Sequence, residues 1–210
     1  DAVNHSIDSI TAGKVKIVVS EWWNDYGNAF SAHSSSLEEA IHAGGMLNFF
    51  QQKSKVLDIV NRSTFVEILK SHNPRFEFFL APSAYVLSLY SNYSGNILLK
   101  SNVISPTYSL PRSVGNIPAM DSIPYLDVSA TKKNEKIFIN VINRSLEDIT
   151  VTLNITGGSV GAKGIVRTIN GPNILSNNFD PPHNTVTLTS SQINYVGKSF
   201  NYKFPAHSVT

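Results

Sequence analysis

A glutamate followed by two tryptophans ends an apolar stretch, KVKIVVSEWW, that covers residues 14–23. The β-branched residues before Glu21 predict a short buried strand, and a nearly continuous apolar strand is typical of a parallel sheet covered on both faces. A carboxylate at the carboxyl end of such a strand is well placed for chemistry, because barrel enzymes build their active sites on that rim. The indole of Trp22 could offer a flat apolar face to a sugar ring. The alternative is an ordinary strand end, with Glu21 in solvent and both tryptophans in the core.

The composition excludes several classes of site. The chain has 210 residues, no cysteine, and 17 Lys+Arg against 15 Asp+Glu, which gives a formal net charge of +2. Without cysteine there is no disulfide, thiolate zinc site or cysteine nucleophile. The histidines lack metal-ligand spacing, so we expect no metal and no cofactor. The balanced charge argues against nucleic acid as a partner, and no apolar run approaches the roughly 20 residues of a membrane span.

Strand and helix signals alternate in the first part of the chain. SLEE at 36–39 predicts a capping box that opens a helix, and apolar residues continue at helical spacing to about residue 52. VLDIV at 56–60 predicts a second strand, and Pro82 predicts the first turn of a helix that ends at Gly95. This order predicts βαβ units and a parallel sheet. Two strands cannot close such a sheet, so this part is expected to be incomplete.

The pattern changes to period two from about Ile97 onward. Ile149, Val151 and Leu153 alternate with polar residues, which predicts a strand with one buried face. Similar short runs, separated by Gly, Pro and Asn clusters, predict an antiparallel β-sandwich or jelly roll. The Ser- and Pro-rich segment 105–122 predicts a long connection, and GGSVGAKG at 157–164 predicts a hairpin loop.

Six motifs, in order along the chain, resemble those of a known family. They read EWW, SLEEAIHAGGMLNFF, IVNRS, IPYLDVSAT, INVINRS and FPAHSVT. In this order and spacing they resemble the C-terminal part of the family 51 α-L-arabinofuranosidases, over essentially the whole chain. The resemblance implies a (β/α)8 barrel that carries the chemistry and a jelly-roll β-sandwich packed beside it. Residues 1–95 would be the last βα units of the barrel, and residues 96–210 the C-terminal β-sandwich domain.

The same resemblance implies roles for individual residues. Glu21 falls on the nucleophile of a retaining glycoside hydrolase, at the end of the seventh barrel strand. Trp22 is then expected to form the aromatic wall of the sugar site, and Asn61, at the end of the eighth strand, to contact the sugar. The family's acid/base lies on the fourth strand, which this chain does not contain. Ser20 stands where the family usually has Asp, so the local support of the nucleophile is expected to differ.

The implied activity is release of terminal arabinofuranosyl residues from arabinose-containing polysaccharides or oligosaccharides. The chain alone is expected to be inactive because it lacks the acid/base. The resemblance also implies a homo-oligomer for the intact protein, and it favours a cytoplasmic location while leaving secretion open. The competing hypothesis is a non-catalytic carbohydrate-binding or structural β-sandwich module, in which Glu21 does no chemistry.

Three expectations concern packing. Residues 97–210 are expected to form an independently packed sandwich. The strands and helices of residues 1–95 are expected to expose apolar faces, since a partial barrel leaves open sheet edges. The Gly44–Gly45 pair, inside a predicted helix, is expected to mark close packing of that helix against the barrel.

Overall fold

The computed structural model describes residues 15–24, 32–63, 69–72, 77–115, 117–194 and 196–210, and it is mostly β-sheet with few helices. A short 3₁₀ turn, His33–Ser35, precedes the first helix. In chain order the elements are β1 (Ile17–Trp22), α1 (Leu37–Gln52), β2 (Leu57–Arg62), β3 (Leu69–His72), β4 (Glu77–Leu80), α2 (Pro82–Asn92), β5 (Ile97–Leu99), β6 (Thr107–Leu110), β7 (Met120–Pro124), β8 (Leu126–Lys133), β9 (Lys136–Asn143), β10 (Ile149–Asn154), β11 (Lys163–Asn170), β12 (Thr187–Asn194), β13 (Ser199–Phe204) and β14 (Ser208–Val209).

Two antiparallel sheets form a sandwich in the second part of the chain. The larger is six-stranded with the order β12-β11-β14-β9-β8-β5, and β10 pairs with β13 in the smaller one. Apolar side chains from both sheets meet in one cluster that includes Leu126, Val141, Ile149 and Phe204. The period-two runs therefore form the antiparallel sandwich that the sequence predicts, because each strand buries alternate residues against the opposing sheet.

Strands β1 and β2 form a separate two-stranded parallel sheet, connected through α1. This arrangement confirms the predicted βαβ unit. The prediction that both faces are covered is wrong for the described residues. Val18 and Ile59 are 54% and 50% exposed, while Val19 and Val60 pack toward the core. One face of the strand pair thus lies against α1 and the other is open, as expected for the strands.

Helix α1 lies between the β1–β2 pair and the six-stranded sheet. Its N-terminal residues Leu37 and Ala40 are fully buried, so the expectation that the helices expose their apolar faces is wrong for α1. The physical reason is that the sandwich sheet is apolar on this side and covers the helix. The shared core consists of Trp22, Leu37, Ala40, Ile41, Ala43, Phe50, Val86, Leu89, Tyr90, Ile142, Ile169, Val186 and Val209.

Gly44 sets the distance between α1 and the sandwich. A Cβ at this position would lie 2.5 Å from Ile142 Cδ1 and 3.5 Å from Val209 Cγ2. The glycine pair therefore marks close packing, as predicted, but Gly44 meets β9 and β14 of the sandwich rather than a barrel. At Gly45 the nearest atom is Arg144 Nη2, at 2.9 Å from the position of a Cβ.

A buried polar network fixes α1 on β8. The Asn48 side chain accepts hydrogen bonds from Tyr90 Oη and Ser129 Oγ, each at 2.6 Å, and its Nδ2 donates to Asp127 O at 3.2 Å. Burial, and then the negative charge of Asp127, raise the pKa of Tyr90 well above its usual value. Tyr90 therefore remains a hydrogen-bond donor throughout the physiological range. Since each of these hydrogen bonds joins α1 to β8 or to α2, the network also specifies how the helix sits on the sheet.

Helix α2 begins at Pro82, as predicted, but its end differs from the prediction. Gly95 does not adopt a left-handed conformation that ends the helix. It is needed because a Cβ there would lie 2.2 Å from the Lys132 carbonyl carbon and oxygen. The glycine thus allows the chain leaving α2 to pass against the backbone of β8.

Two predicted loops are different in the structure. Segment 105–122 contains most of an antiparallel β6–β7 hairpin, in which Tyr108 pairs with Ile123. Proline content obscured this hairpin, although Pro106, Pro111 and Pro118 flank the strands and Pro124 is the last residue of β7, positions where proline is tolerated. Segment 157–164 is not a hairpin loop, since it leads from β10 in one sheet to β11 in the other.

Candidate active site

The carboxyl ends of β1 and β2 bring a carboxylate and a hydroxyl together. Glu21 is the penultimate residue of β1, and its side chain is exposed. Ser63 directly follows β2 and is buried. Its backbone N–H donates to Trp22 O at 3.1 Å, and its Oγ donates to Glu21 Oε1 at 2.8 Å. Parallel pairing places both strand ends at the same edge of the sheet, so this contact follows directly from the βαβ topology.

Trp22 lies on the helix-facing side of β1. It is only 6% exposed, and its ring meets Phe50 edge-on with a centroid separation of 5.3 Å. The Arg62 guanidinium lies over the indole at 4.7 Å from the ring centroid. The structure thus places Trp22 in the core instead of beside an open sugar site, because it points toward α1. The next residue, Trp23, is 46% exposed.

A buried ion pair braces the end of β2 against α1. Arg62 Nη2 contacts Glu39 Oε1, and Glu39 lies in the first turn of α1 with its side chain almost completely buried. His42 Nδ1 lies 3.6 Å from the other carboxylate oxygen, Oε2. Removing one partner of such a pair typically costs about 3–5 kcal/mol, because the remaining charge is left buried. The residue before Ser63 is therefore held firmly.

This ion pair changes one detail of the predicted capping box. Ser36 Oγ accepts from Glu39 N at 3.3 Å, as predicted. The Glu39 side chain does not return to the Ser36 backbone, since it is committed to Arg62. Loop 171–186 supplies further acceptors for the helix start, and Leu37 N donates to Ser176 O at 2.8 Å. These hydrogen bonds join the sandwich directly to the N-terminus of α1.

Asn61, the third sequence candidate, is exposed on β2. It lies in β2 two residues before Ser63, close to the strand end where Ser63 meets Glu21. Ser63 itself was missed by sequence reasoning, although a hydroxyl directly after the second strand of a parallel pair is a signal that could have found it.

The part of the chain that the structure describes contains neither a candidate metal site nor a helix that could span a membrane. No group of three or more His, Asp or Glu side chains there could hold a metal ion. No helix in the same residues is long and apolar enough to cross a membrane. The Asn134–Glu135 dipeptide forms the turn of the β8–β9 hairpin, on a different sheet from Glu21. It belongs to the sandwich, and no contact among the described residues joins it to the end of the Glu21 strand.

The carboxyl end of a parallel strand is where barrel enzymes place their reacting groups, and here a helix packs the strand pair against an antiparallel sandwich. The family model of the α-L-arabinofuranosidase C-terminal domain matches residues 18–208. The chain belongs to this family. No curated protein sequence matches the chain.

Solved structures agree with this assignment. The chain is similar to the family 51 α-L-arabinofuranosidase of Thermotoga petrophila, with 26% identity and a TM-score of 0.82. The arabinose complex of the Thermotoga maritima enzyme gives the same two values. Both alignments cover 99% of this chain and 45% of the relative. The family 51 enzyme of Xanthomonas axonopodis pv. citri shares the fold at 23% identity, with a TM-score of 0.76, over 97% of this chain and 42% of its own.

The resemblance to family 51 arabinofuranosidases is thereby confirmed. The chain spans less than half the length of the solved relatives it matches.

Proposed function

We propose that the chain is the C-terminal part of a retaining α-L-arabinofuranosidase in which Glu21 is the catalytic nucleophile. The observation that carries this proposal is the position of Glu21. It is an exposed carboxylate at the carboxyl end of a parallel strand, with Ser63 Oγ donating to Oε1 at 2.8 Å, in a member of the α-L-arabinofuranosidase C-terminal domain family. This is the rim on which barrel enzymes place their reacting groups.

In this proposal β1 and β2 are the last two strands of a (β/α)8 barrel, and residues 96–210 are a jelly-roll domain beside it. The open face at Val18 and Ile59 supports the barrel, because inward-pointing side chains of the other barrel strands would cover those apolar residues. The remaining strands, and the acid/base, would belong to a longer polypeptide.

The chemistry needs two carboxyl groups about 5–5.5 Å apart. The Glu21 carboxylate attacks the anomeric carbon, and the bond to the leaving oxygen breaks as the second carboxyl group protonates that oxygen. An arabinosyl ester on Glu21 results. The second group then deprotonates water, which attacks the anomeric carbon and releases arabinose with its configuration retained.

Two neighbours are proposed to contact the sugar. Asn61 is an exposed residue near the carboxyl end of β2, and we assign its amide a contact with a sugar hydroxyl. We assign the aromatic contact to Trp23, which is exposed, because the Trp22 ring is already occupied by Phe50 and Arg62. The substrates would be arabinose-containing polysaccharides or oligosaccharides, and the intact enzyme a homo-oligomer, which sedimentation would test.

A non-catalytic carbohydrate-binding or structural module is the second candidate. The sandwich supports it, since its two sheets and their apolar cluster make a substantial unit in which Glu21 takes no part. In that case arabinan would bind the chain equally well with or without the Glu21 carboxylate.

The test is Glu21→Ala in the full-length protein, assayed on an aryl α-L-arabinofuranoside. We expect kcat to fall by about 10⁴-fold or more, because the covalent step loses its nucleophile. Azide added to this variant should give the glycosyl azide of inverted configuration, by attack from the face that Glu21 occupied. It should not give the retained product that rescue of an acid/base variant would yield.

Glu147→Ala is the matched control, since Glu147 is an exposed glutamate in the loop between the sandwich strands β9 and β10. Its activity should equal that of the wild type. If Glu21→Ala keeps more than a few per cent of the wild-type kcat, Glu21 is not the nucleophile. That result would favour the non-catalytic module.

A further inference from the structure

We propose that Ser63 is a positioning residue for Glu21, which holds Oε1 and leaves Oε2 as the oxygen that attacks the anomeric carbon; this inference rests on the proposed function. Ser63 Oγ donates its single hydrogen to Glu21 Oε1 at 2.8 Å. A glutamate at a strand end has several rotatable bonds and would otherwise sample many rotamers. With Oε1 held by Ser63, fewer side-chain rotamers of Glu21 are accessible and the position of Oε2 is restricted.

The hydroxyl itself is fixed by its surroundings. Ser63 is buried, and its backbone N–H donates to Trp22 O at 3.1 Å, across the strand pair. Donor and acceptor therefore sit on two neighbouring strands that are already hydrogen-bonded to each other. Such a hydroxyl can hold a charged acceptor without reorganising when the reaction occurs.

The residues around Ser63 brace this arrangement from α1. Arg62, directly before Ser63, pairs with the buried carboxylate of Glu39 and lies over the Trp22 indole. Trp22, directly after Glu21, packs on Phe50 of α1. The two residues that form the Glu21–Ser63 contact are thus each adjacent to a side chain anchored on the same helix. A shift of either strand end would break an anchor as well as the contact.

The assignment of the two oxygens follows from the single donated hydrogen. In the first step an electron pair of Oε2 forms the bond to the anomeric carbon. The electron pair of the glycosidic bond leaves with the departing oxygen, which takes its proton from the second carboxyl group. Oε1 becomes the carbonyl oxygen of the glycosyl ester, and it can still accept from Ser63 Oγ. The same hydrogen bond therefore serves carboxylate and ester.

The experiment compares Ser63→Ala in two backgrounds of the full-length protein. In the wild-type background we expect kcat to fall by about 10- to 100-fold with KM changed less than about twofold, since a loosely held nucleophile rarely reaches attack geometry. Ser63→Thr keeps the hydroxyl and should recover most of the loss. Ser54→Ala, at an exposed turn serine, is the matched control and should match the wild type.

The second background is Glu21→Ala with azide as the nucleophile. If Ser63 acts only through Glu21, adding Ser63→Ala should leave the azide-rescued rate unchanged within about twofold. An equal loss in both backgrounds would show a general structural role and overturn the inference. If Ser63→Ala keeps the wild-type kcat while Glu21→Ala is inactive, the positioning role of Ser63 is overturned and the proposed function stands. An active Glu21→Ala would overturn both.

Discussion

The β1–β2 pair and the antiparallel sandwich differ in how completely their surfaces are covered. In the sandwich, two sheets enclose an apolar cluster, and the outer face of the six-stranded sheet is packed under α1. In the strand pair, each strand has one hydrogen-bonded neighbour among the described residues, and Val18 and Ile59 are exposed. The candidate nucleophile is carried by the less complete region. The proposed reacting group is therefore in the region whose strands have fewer neighbours.

Helix α1 connects the two regions mechanically. On one side Gly44 and Asn48 seat it on the sandwich. On the other side Glu39 and Phe50 hold Arg62 and Trp22 at the strand ends. We infer that the sandwich supports the active site by fixing this helix, since it contributes none of the contacts described around Glu21.

The largest expected effect concerns activity of the chain by itself. A purified 210-residue chain should show no measurable hydrolysis of an aryl arabinofuranoside under conditions where the full-length protein is active. General acid catalysis alone typically contributes about 10²- to 10⁴-fold, and most of the sugar pocket would also be missing. Hydrolysis by the chain alone would contradict the idea that its site is half of a larger one.

Hydrogen exchange should resolve the two regions directly. Backbone amides in the C-terminal half of β9, around Val141 and Ile142, should exchange about 10³-fold or more slowly than those of β1, because β9 has neighbours on both edges and a buried side chain at each of these positions. Helix α1 should resemble the sandwich, since it belongs to the shared core. Equal protection in β1 and β9 would mean that the strand pair is already part of a complete unit.

Changing Gly44 should loosen the joint between the regions. Valine there would place Cβ 2.5 Å from Ile142 Cδ1, and Ile142 is fully buried and cannot turn away freely. Overpacking of this kind costs about 1–3 kcal/mol, so we expect the thermal midpoint to fall by about 5–10 °C. Gly161→Ala, where nothing lies within 4 Å of a Cβ, should leave the midpoint unchanged. A neutral Gly44→Val would mean that α1 can move off the sheet without cost.

The parts that sequence predicted well are those governed by local periodicity. The α1 helix and its Ser36 cap, the Pro82 start of α2, the parallel β1–β2 pair and the alternating sandwich strands all follow from short-range patterns. Glu21 was chosen as the candidate nucleophile because it lies at the end of an apolar strand. Periodicity does not predict which element packs against each strand or helix face. Trp22 and Glu39 have local patterns compatible with several environments, and only the position of α1 commits both to Arg62.

The same limit applies to Ser63 and Gly44. Ser63 ends the IVNRS motif and directly follows β2, but its contact with Glu21 emerges only when β1 and β2 are in register. Gly44 signals a close approach in the sequence, but the element that approaches lies about a hundred residues further along the chain. Long-range pairing, which costs loop-closure entropy and is specified by many residues together, leaves little trace in a local window.

The smallest expected effect concerns a surface ion pair on the sandwich, far from the strand pair. Lys203 Nζ lies 2.9 Å from Asp148 Oδ2, with side chains 66% and 46% exposed. The hydrogen bond from Lys203, and then that from the Ala206 amide, lower the pKa of Asp148 from 3.8, while the Asp148 partner raises the pKa of Lys203 from 10.5. The aspartate contribution to stability is present above pH 3.8 and is lost as pH falls through its lower folded-state pKa. The lysine contribution is present below pH 10.5 and is lost as pH rises through its higher folded-state pKa.

Asp148→Asn should therefore lower the thermal midpoint only slightly, by about 2 °C or less at neutral pH, because exposed pairs are screened by solvent. The difference from wild type should shrink in about 1 M NaCl, and it should also shrink as the pH falls below 3.8 and the aspartate becomes protonated. Glu135→Gln, in the exposed β8–β9 turn, is the control for loss of one negative charge. Activity of the full-length protein should be the same in both variants, because neither side chain contacts α1. An Asp148→Asn variant that lost activity at unchanged stability would mean that the sandwich influences the Glu21 strand end by a route other than this helix.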